Sequence, residues 1–300
     1  MTIRLYRPHD PQFALPGSER HGAMITASKA AAICGVSRWS SAYSCWLTMK
    51  GLIDPEPPKD VFDAGHAAEL MLAELWRLRH PGWRISRTAV QYQSDEWSYP
   101  AAVTPDRVAS RGKWRKLVEL KTTRDWEEWG DVSREGDCPT DYAVQCIFQQ
   151  AISGEHRPSD LMVLGPWLGE RYYTVEWDDA IWRWIDVCCR EFWDSLDADE
   201  APELDDSVST YRAVRQLHPD IAPGLKTEIP EKLAWEYGRL QIDAKQTEKE
   251  LRGVKSQILS LAERAQFITA NGDIIAARQP HWKGGIALVS KGDPALLAAG

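Results

Sequence analysis

Two acidic motifs near the middle of the chain have the residue types needed to bind a divalent metal. They are Thr104-Pro105-Asp106 and, after a basic turn, Val118-Glu119-Leu120-Lys121. Side chains alternate between the two faces of a β-strand, so Glu119 and Lys121 are expected to point the same way. If the two segments pair as an antiparallel hairpin, Asp106 comes to lie beside Glu119. The motifs therefore predict two carboxylates and one ammonium group around a metal ion, a combination that can hydrolyse a phosphodiester.

Mg²⁺ is the metal that this ligand set predicts, with Mn²⁺ as the alternative ion. Mg²⁺ prefers oxygen ligands and usually takes only one or two carboxylates from a protein. Asp106, Glu119 and the backbone carbonyl of Leu120 would supply those oxygens, while Lys121 would orient or deprotonate the attacking water. A Glu-x-Lys pair on a strand is also common as a solvated cross-strand charge pair. The motif alone does not separate the two interpretations.

Two predicted helices could add further polar groups to this site. Residues 61–79 form a helix-like run in which His66 and Glu69 share one face at i, i+3. Glu69 is a third acidic candidate, and His66 is the neighbouring candidate metal ligand. In a second predicted helix, residues 140–153, Gln145 could hydrogen-bond the attacking water or DNA. On spacing alone, Gln145 could equally be an amide on a wet helix face.

Five short motifs follow one another in the first part of the chain. They are Ile25-Thr26-Ala27-Ser28, Gly65-x-x-x-Glu69, Pro105-Asp106, Glu119-Leu120-Lys121 and Tyr142-Ala143-Val144-Gln145. Each motif is weak alone, but their order and spacing together are more specific. Over residues 15–200 the chain resembles the YqaJ-type viral recombinases, relatives of lambda exonuclease in the PD-(D/E)xK nuclease superfamily. The resemblance implies a restriction-endonuclease-like core, a mixed α/β (α+β) sheet flanked by helices.

The resemblance also implies roles for individual residues. Asp106 and Glu119 would be metal ligands, Lys121 the catalytic lysine, Glu69 an additional acidic site residue and Gln145 the glutamine of the following helix. The implied activity is that of a Mg²⁺-dependent deoxyribonuclease, an exonuclease that resects double-stranded DNA ends from 5′ to 3′. The single strand left behind would serve an annealing protein in phage-type recombination. A ring-shaped homotrimer in the cytoplasm of the bacterial or phage-infected host cell is implied as well.

The late helix departs from the family pattern. Relatives often carry Gln-x-Gln, whereas this chain has Gln145-Cys146-Ile147. Any role of a second glutamine is therefore absent here or has moved to another position.

The N-terminal motif predicts a site for a DNA phosphate. Thr26 is a good N-cap residue, so a helix is expected to begin near Ser28 with its positive end exposed. Such helix ends favour phosphate groups, and Arg20 lies a short distance upstream. Arg20 and Ser28 are therefore candidate DNA-phosphate ligands. Alternatively, Thr26 and Ser28 only cap the helix.

Composition both supports and opposes a DNA-binding role. The net charge of −8 is unfavourable, because nucleic-acid affinity is driven mainly by basic groups. Charge distribution matters more, and basic residues gather around the proposed metal strand while acidic residues concentrate in residues 194–206. The basic group consists of Arg111, Lys113, Arg115, Lys116, Lys121 and Arg124. A basic cleft in an acidic protein is therefore expected, although each charge alone could be an ordinary solvated one.

Other classes of protein are disfavoured by simple patterns. No apolar run approaches the ~20 residues that a bilayer span requires, and no secretory leader opens the sequence, so we expect no membrane partner and a cytoplasmic location. The six cysteines show no Cys-x-x-Cys pair, which argues against zinc, an iron–sulfur cluster or a disulfide framework.

Three segments are predicted along the chain. Residues 1–200 would form the exonuclease domain, with strands near 84–92, 99–109, 116–122, 161–164 and 171–176. Residues 201–230, rich in Asp and Pro, read as a linker with one short helical turn. Residues 231–300 would form an assembly or partner-binding extension, made of a long helix and a hairpin.

The extension has two local signals. Ten mostly apolar residues from Leu233 to Ala265 alternate in steps of four and three, as in a coiled coil. Asn271-Gly272 then separates two short β-prone segments, which predicts a hairpin. The extension could instead be a packing module that covers the nuclease core.

Two functional alternatives also stay open, namely a structure-specific endonuclease on the same fold and a catalytically silent DNA-binding or assembly subunit.

Overall fold

A computed structural model describes residues 3–55, 57, 60–94, 96–126, 129, 138–281 and 284–291. The chain divides into two compact units, Met1–Asp220 and Ile221–Gly300. The first unit contains two sheets and seven helices among the described residues. The predicted mixed α/β fold, with helices flanking a mixed sheet, is confirmed.

A five-stranded sheet forms the centre of the first unit. Its strands run in the order β3-β6-β7-β8-β9, with β7 and β8 parallel and the other neighbours antiparallel. The strands are β3 (Arg84–Ile85), β6 (Arg107–Arg111), β7 (Trp114–Thr122), β8 (Ser159–Leu164) and β9 (Glu170–Val175). Every residue of β8 is buried, which is typical of a strand covered on both faces.

A smaller sheet of four strands holds the N-terminal residues. Its order is β1-β4-β5-β2, and only the β2–β5 pair is parallel. The strands are β1 (Ile3–Tyr6), β2 (Ile25–Thr26), β4 (Gln91–Ser94) and β5 (Ala101–Val103). The two helices predicted as residues 61–79 and 140–153 are observed with nearly the same bounds. The helices are α1 (Glu19–Gly22), α2 (Ala27–Ile33), α3 (Ala42–Met49), α4 (Asp60–Arg79), α5 (Thr140–Ser153), α6 (Asp179–Ala198) and α7 (Val208–Leu217).

Two strand predictions were wrong in the same way. The predicted strands 84–92 and 99–109 each divide into two short strands, one in each sheet. Pro105 lies at the second break, between β5 and β6, where its missing N–H cannot join a ladder. The hairpin that places Asp106 is therefore shorter than predicted, pairing Arg107 with Val118 and Arg111 with Trp114.

Helices α4 and α5 cover the two faces of the central sheet. Leu72 and Trp76 of α4 pack on one face, against Leu120 and its neighbours. Gln145 and Gln149 of α5 reach Glu119 on the opposite face. The alternation predicted for β7 is thus observed, because Leu120 faces α4 while Glu119 faces α5.

Helix α7 begins inside the segment that reads as a linker. The Ser207 hydroxyl accepts a hydrogen bond from the Thr210 N–H at 3.1 Å, which caps the helix. The Ser209 hydroxyl donates to Ser44 of α3 at 2.8 Å, and the Thr210 hydroxyl donates to Ser41, the N-cap residue of α3, at 2.7 Å. The first compact unit therefore extends to Asp220, while the roles assigned to the three segments remain predictions.

The second unit consists of a long helix and a small sheet. Helix α8 (Glu231–Ala262) has no buried residue, and its apolar stripe is exposed within the described residues. The predicted hairpin is confirmed as β10 (Phe267–Ala270) and β11 (Asp273–Pro280), joined by Asn271 and Gly272, both with positive φ. A third strand, β12 (Ile286–Ser290), pairs with β11 and was not predicted.

Across the described residues, none of the helices combines the length and the apolar character that crossing a bilayer would need.

Candidate active site

Glu119 lies at the centre of the predicted site and is almost completely buried, with 2% of its surface exposed. It stands on β7, two residues before Lys121, so both side chains project from the same face. The Lys121 ammonium and the Gln145 amide both donate to Glu119 Oε1. The Gln149 amide donates to the other oxygen, Oε2, at 2.9 Å. Donors from a strand and a helix thus hold both oxygens of the carboxylate.

Asp106 reaches the same strand from the loop that precedes β6. Its Oδ2 accepts the backbone N–H of Leu120 at 2.7 Å, which places the carboxyl group between the levels of Glu119 and Lys121. Burial raises the pKa of Asp106 to about 8, and the nearby Glu119 and Glu69 charges act in the same direction. Burial and the neighbouring carboxylates thus both oppose ionisation of Asp106.

Glu69 and His66 approach from α4. Together with Gly65, Leu72, Leu120, Lys121 and Thr122 they line a cleft of about 290 Å³. Glu69 is partly buried and His66 is exposed. Burial raises the pKa of Glu69, while the charges of His66, Arg107 and Lys121 partly compensate. The structure thus brings Glu69 within electrostatic reach of Glu119 and Lys121.

Lys121 is held as a cation. Burial alone would lower its pKa, but the Glu119 and Asp106 carboxylates outweigh burial and raise it. Tyr142 of α5 adds a cation–π contact, with its ring centre 5.4 Å from the ammonium nitrogen. A lysine in this state donates hydrogen bonds and does not accept protons. A protonated Lys121 is compatible with the predicted role of orienting an attacking water, and not with that of deprotonating it.

The donor set partly matches a site for a hard divalent cation. Within the part of the chain that the structure describes, no three His, Cys, Asp or Glu side chains are already gathered closely enough to hold a metal ion. Both oxygens of Glu119 face ammonium and amide donors. In favour of a cation, the pKa of Asp106 is raised first by burial and then by the Glu119 and Glu69 charges, and added positive charge would oppose both effects. The residue types thus fit Mg²⁺ or Mn²⁺.

Arg20 and Ser28 lie outside this cluster of contacts. The Arg20 guanidinium donates to the Gln93 side chain at 3.2 Å, and the Ser28 hydroxyl lies 3.3 Å from that of Thr26. Thr26 occupies the N-cap position of α2, as predicted, although its side chain makes no capping hydrogen bond. Both Arg20 and Ser28 are exposed. Their role at a DNA phosphate remains a prediction.

Lys29 ties the Arg20 segment to the start of α2. Its ammonium donates to the backbone carbonyls of His21, Gly22 and Met24, at 3.1, 2.7 and 2.8 Å. Burial lowers the pKa of Lys29 to about 8. Lys29 therefore fixes residues 21–24 to the first turn of α2.

Gln149 is a site residue that the sequence interpretation did not assign. It is 1% exposed and lies one helical turn after Gln145, so both amides reach the same carboxylate. The role expected for a second glutamine is therefore compatible with a position four residues later, rather than two. The available signal was the i, i+4 spacing of the two glutamines, which also fits a solvated helix face.

Replacing Gln149 with leucine is expected to lower the turnover of DNA about 10- to 100-fold, because outer groups that orient a catalytic carboxylate have effects of this size. Gln150 is the matched control, with the same residue type and 0% exposure. Its amide donates to the Arg157 and Val175 carbonyls and the Ser159 hydroxyl, away from Glu119. Gln150→Leu should lower the melting temperature without changing kcat of the folded enzyme. Equal kcat values for both variants would contradict a positioning role for Gln149.

Comparisons with known proteins agree with the residue pattern. Residues 18–156 match the model of the YqaJ-like viral recombinase domain. Among curated proteins, no match was found. Solved structures with some similarity include an alkaline exonuclease, LHK-Exo from Laribacter hongkongensis, at 16% identity over 59% of this chain and 89% of that chain, with a TM-score of 0.47. Its complex with dAMP matches at 17% identity, 60% and 91% coverage and a TM-score of 0.48. The structure of SSO0001 matches at 11% identity, 68% and 88% coverage and a TM-score of 0.35.

The region matched by the family model contains every residue described in this site. Arg20 and Ser28 lie near its beginning, and Gln145 and Gln149 lie near its end. The resemblance predicted from the five motifs is confirmed, because residues 18–156 of this chain match the YqaJ-like viral recombinase domain.

Proposed function

We propose that the protein is a metal-dependent exonuclease that degrades double-stranded DNA from its ends. The observation that carries the proposal is the arrangement around Glu119, where Lys121, Gln145 and Gln149 hold a buried carboxylate beside Asp106. Such a group of acids and one ammonium suits phosphodiester hydrolysis, because negative charge develops on both the attacking and leaving oxygens. The family assignment supports the same reaction class.

Each residue of the candidate site would have a separate role in hydrolysis. Asp106, Glu119 and the Leu120 carbonyl would hold Mg²⁺ or Mn²⁺, with Glu69 and His66 at the cleft. When bound, the ion would lower the pKa of the attacking water and offset negative charge on the phosphate. Lys121 would donate a hydrogen bond that orients the water or a phosphate oxygen. Gln145 would keep Glu119 in place, or turn to the water when substrate arrives.

The substrate and partners follow from the same family. Arg20 and Ser28 would bind the phosphate at the strand terminus, which favours digestion from 5′ to 3′. The exposed single strand would pass to an annealing protein in phage-type recombination. The uncovered apolar stripe of α8 supports self-association, in which a trimer is the expected state in the cytoplasm. Light scattering of the full chain would measure the molar mass of the assembly and so test whether it is a trimer.

A linear duplex labelled at one terminus at a time tests the central proposal. With Mg²⁺ the label at the attacked end should be released first, and chelator should stop its release. A covalently closed circular duplex should remain intact, because an exonuclease requires an end. Cutting of the circle would favour the structure-specific endonuclease. An unchanged linear duplex in both Mg²⁺ and Mn²⁺ would contradict the enzyme and favour a DNA-binding or assembly subunit.

A further inference from the structure

The hairpin between β8 and β9 ends in an exposed apolar tip. Residues Pro166–Leu168 form a single 3₁₀ turn between Gly165 and Gly169. Trp167 is 100% exposed, and Leu168 is 73% exposed. Large apolar side chains with this exposure gain nothing from burial in the folded chain. We define Trp167 and Leu168 as the hairpin tip.

The backbone of the hairpin tip is held in an unfavourable conformation. Trp167 and Leu168 have φ values of 60° and 59°, in the left-handed region that residues with a Cβ atom avoid. Two consecutive residues of this kind persist only where the surrounding structure imposes them, and such positions concentrate at ligand-binding sites. Stability alone therefore does not account for tryptophan and leucine here.

Trp126 and the loop glycines impose this conformation. The Gly165 N–H donates to the Gly169 carbonyl at 2.9 Å, which closes the loop. The Trp126 indole lies directly against the loop, so that a Cβ atom added to Gly165 would come within 2.1 Å of the ring. The Arg171 guanidinium covers the Trp126 ring at 4.2 Å. The hairpin tip thus projects from a closely packed base.

The hairpin tip emerges at the same end of the sheet as the site. Thr122 pairs with Leu164, the last residue of β8, and the Thr123 N–H donates to the Leu164 carbonyl at 2.9 Å. The loop starts at Gly165, two residues beyond Val163, the partner of Lys121, so at ~3.3 Å per residue it begins about 7 Å from the Lys121 level along the strand direction. A DNA strand bound at the site would pass this end.

We propose that the hairpin tip is a nucleobase-binding site, in which Trp167 stacks on a base of the DNA strand next to the cleft. The inference rests on the proposed function. A flat aromatic face accepts any base, which suits an enzyme that degrades DNA of every sequence. With Asp125 counted, Arg124 and Arg171 leave the segments at the base of the loop with a net positive charge, and Glu170 is paired with Arg79, which favours a phosphodiester backbone. Charge therefore favours nucleic acid over an apolar protein partner.

Binding of a duplex with a short overhang tests this site in the full chain. The overhang carries 2-aminopurine, whose fluorescence falls when it stacks, and chelator keeps the strand uncut. We expect Trp167→Ala to weaken binding about ten- to hundredfold and to lose the fluorescence change. Trp167→Phe, which keeps an aromatic face, should stay within a few-fold of the wild type. Trp114→Ala removes an exposed tryptophan at the opposite end of β7 and should bind as tightly as the wild type.

A second variant separates binding from folding. Trp167→Gly removes the strained Cβ atom, so its melting temperature should be no lower than that of the wild type, while its binding should fall as far as that of Trp167→Ala. If wild type degrades linear duplex but both variants bind like wild type, the base-binding site is refuted and the exonuclease stands. If wild type neither degrades nor binds DNA, both proposals fall.

Discussion

Replacing Lys121 with alanine should reduce the degradation of linear duplex DNA about a hundred- to a thousandfold. Removing one preorganised donor from a buried catalytic site has effects of this size. The Lys121 ammonium donates to Glu119, and the charges of Glu119 and Asp106 both stabilise it. The fold should survive, because Gln145 and Gln149 still donate to the two oxygens of Glu119. We expect a loss of about 1–3 kcal/mol in unfolding free energy.

Lys113→Ala is the matched control for this experiment. Lys113 is exposed in the turn between β6 and β7, on the same hairpin as the catalytic strand. Its removal should leave both the rate of label release and the melting temperature close to the wild-type values. Full activity of Lys121→Ala, with Lys113→Ala also active, would remove Lys121 from the mechanism.

Replacing Asp106 with asparagine should abolish activity and, at alkaline pH without metal, stabilise the fold. Asparagine keeps an oxygen that can accept the Leu120 N–H, but it carries no charge. Burial raises the pKa of Asp106 from 3.8 to about 8. The folded state therefore binds this proton more tightly than the unfolded state, and stability from Asp106 is fully present below about pH 4 and is lost as pH rises through 8. The lost stability is on the order of a few kcal/mol.

Thermal melting in chelator at pH 5 and pH 9 measures this effect. The difference between Asp106→Asn and wild type should be small at pH 5 and should favour the variant at pH 9. Mg²⁺ at pH 9 should raise the wild-type melting temperature and leave that of the variant nearly unchanged, because ligand binding stabilises only the protein that binds it. Asp243→Asn, at an exposed position of α8, should show neither effect. A variant less stable than wild type at pH 9 would contradict the raised pKa of Asp106 in the folded protein.

Much of the site was predictable because its signals are local. The period-two alternation of a strand places Glu119 and Lys121 on one face, and β7 obeys it. Helix α5 begins at Thr140 and ends at Ser153, as predicted, since an apolar stripe at helical spacing does not depend on distant contacts. The Asn271-Gly272 turn is similar, because both residues tolerate positive φ.

Other features depended on contacts that no local pattern encodes. Leu70 and Leu72 are both apolar residues of α4, but Leu70 is 67% exposed while Leu72 is buried against the sheet, because the position of the sheet decides which side of the helix is covered. The position of Gln149 in the site was likewise not predictable from local pattern, because its amide reaches Glu119 only when α5 packs against β7.

The amino-acid sequence by itself determined the ligand types, their alternation on one strand, the helices with strong periodicity and the family of residues 18–156. Only the tertiary structure decided which strands share a sheet, which amides hold Glu119 and which carboxylates lie near the Lys121 ammonium. The physical reason is that backbone conformation and side-chain alternation act over a few neighbouring residues. Burial, repulsion between charges and hydrogen bonds across elements arise only when distant segments meet in space.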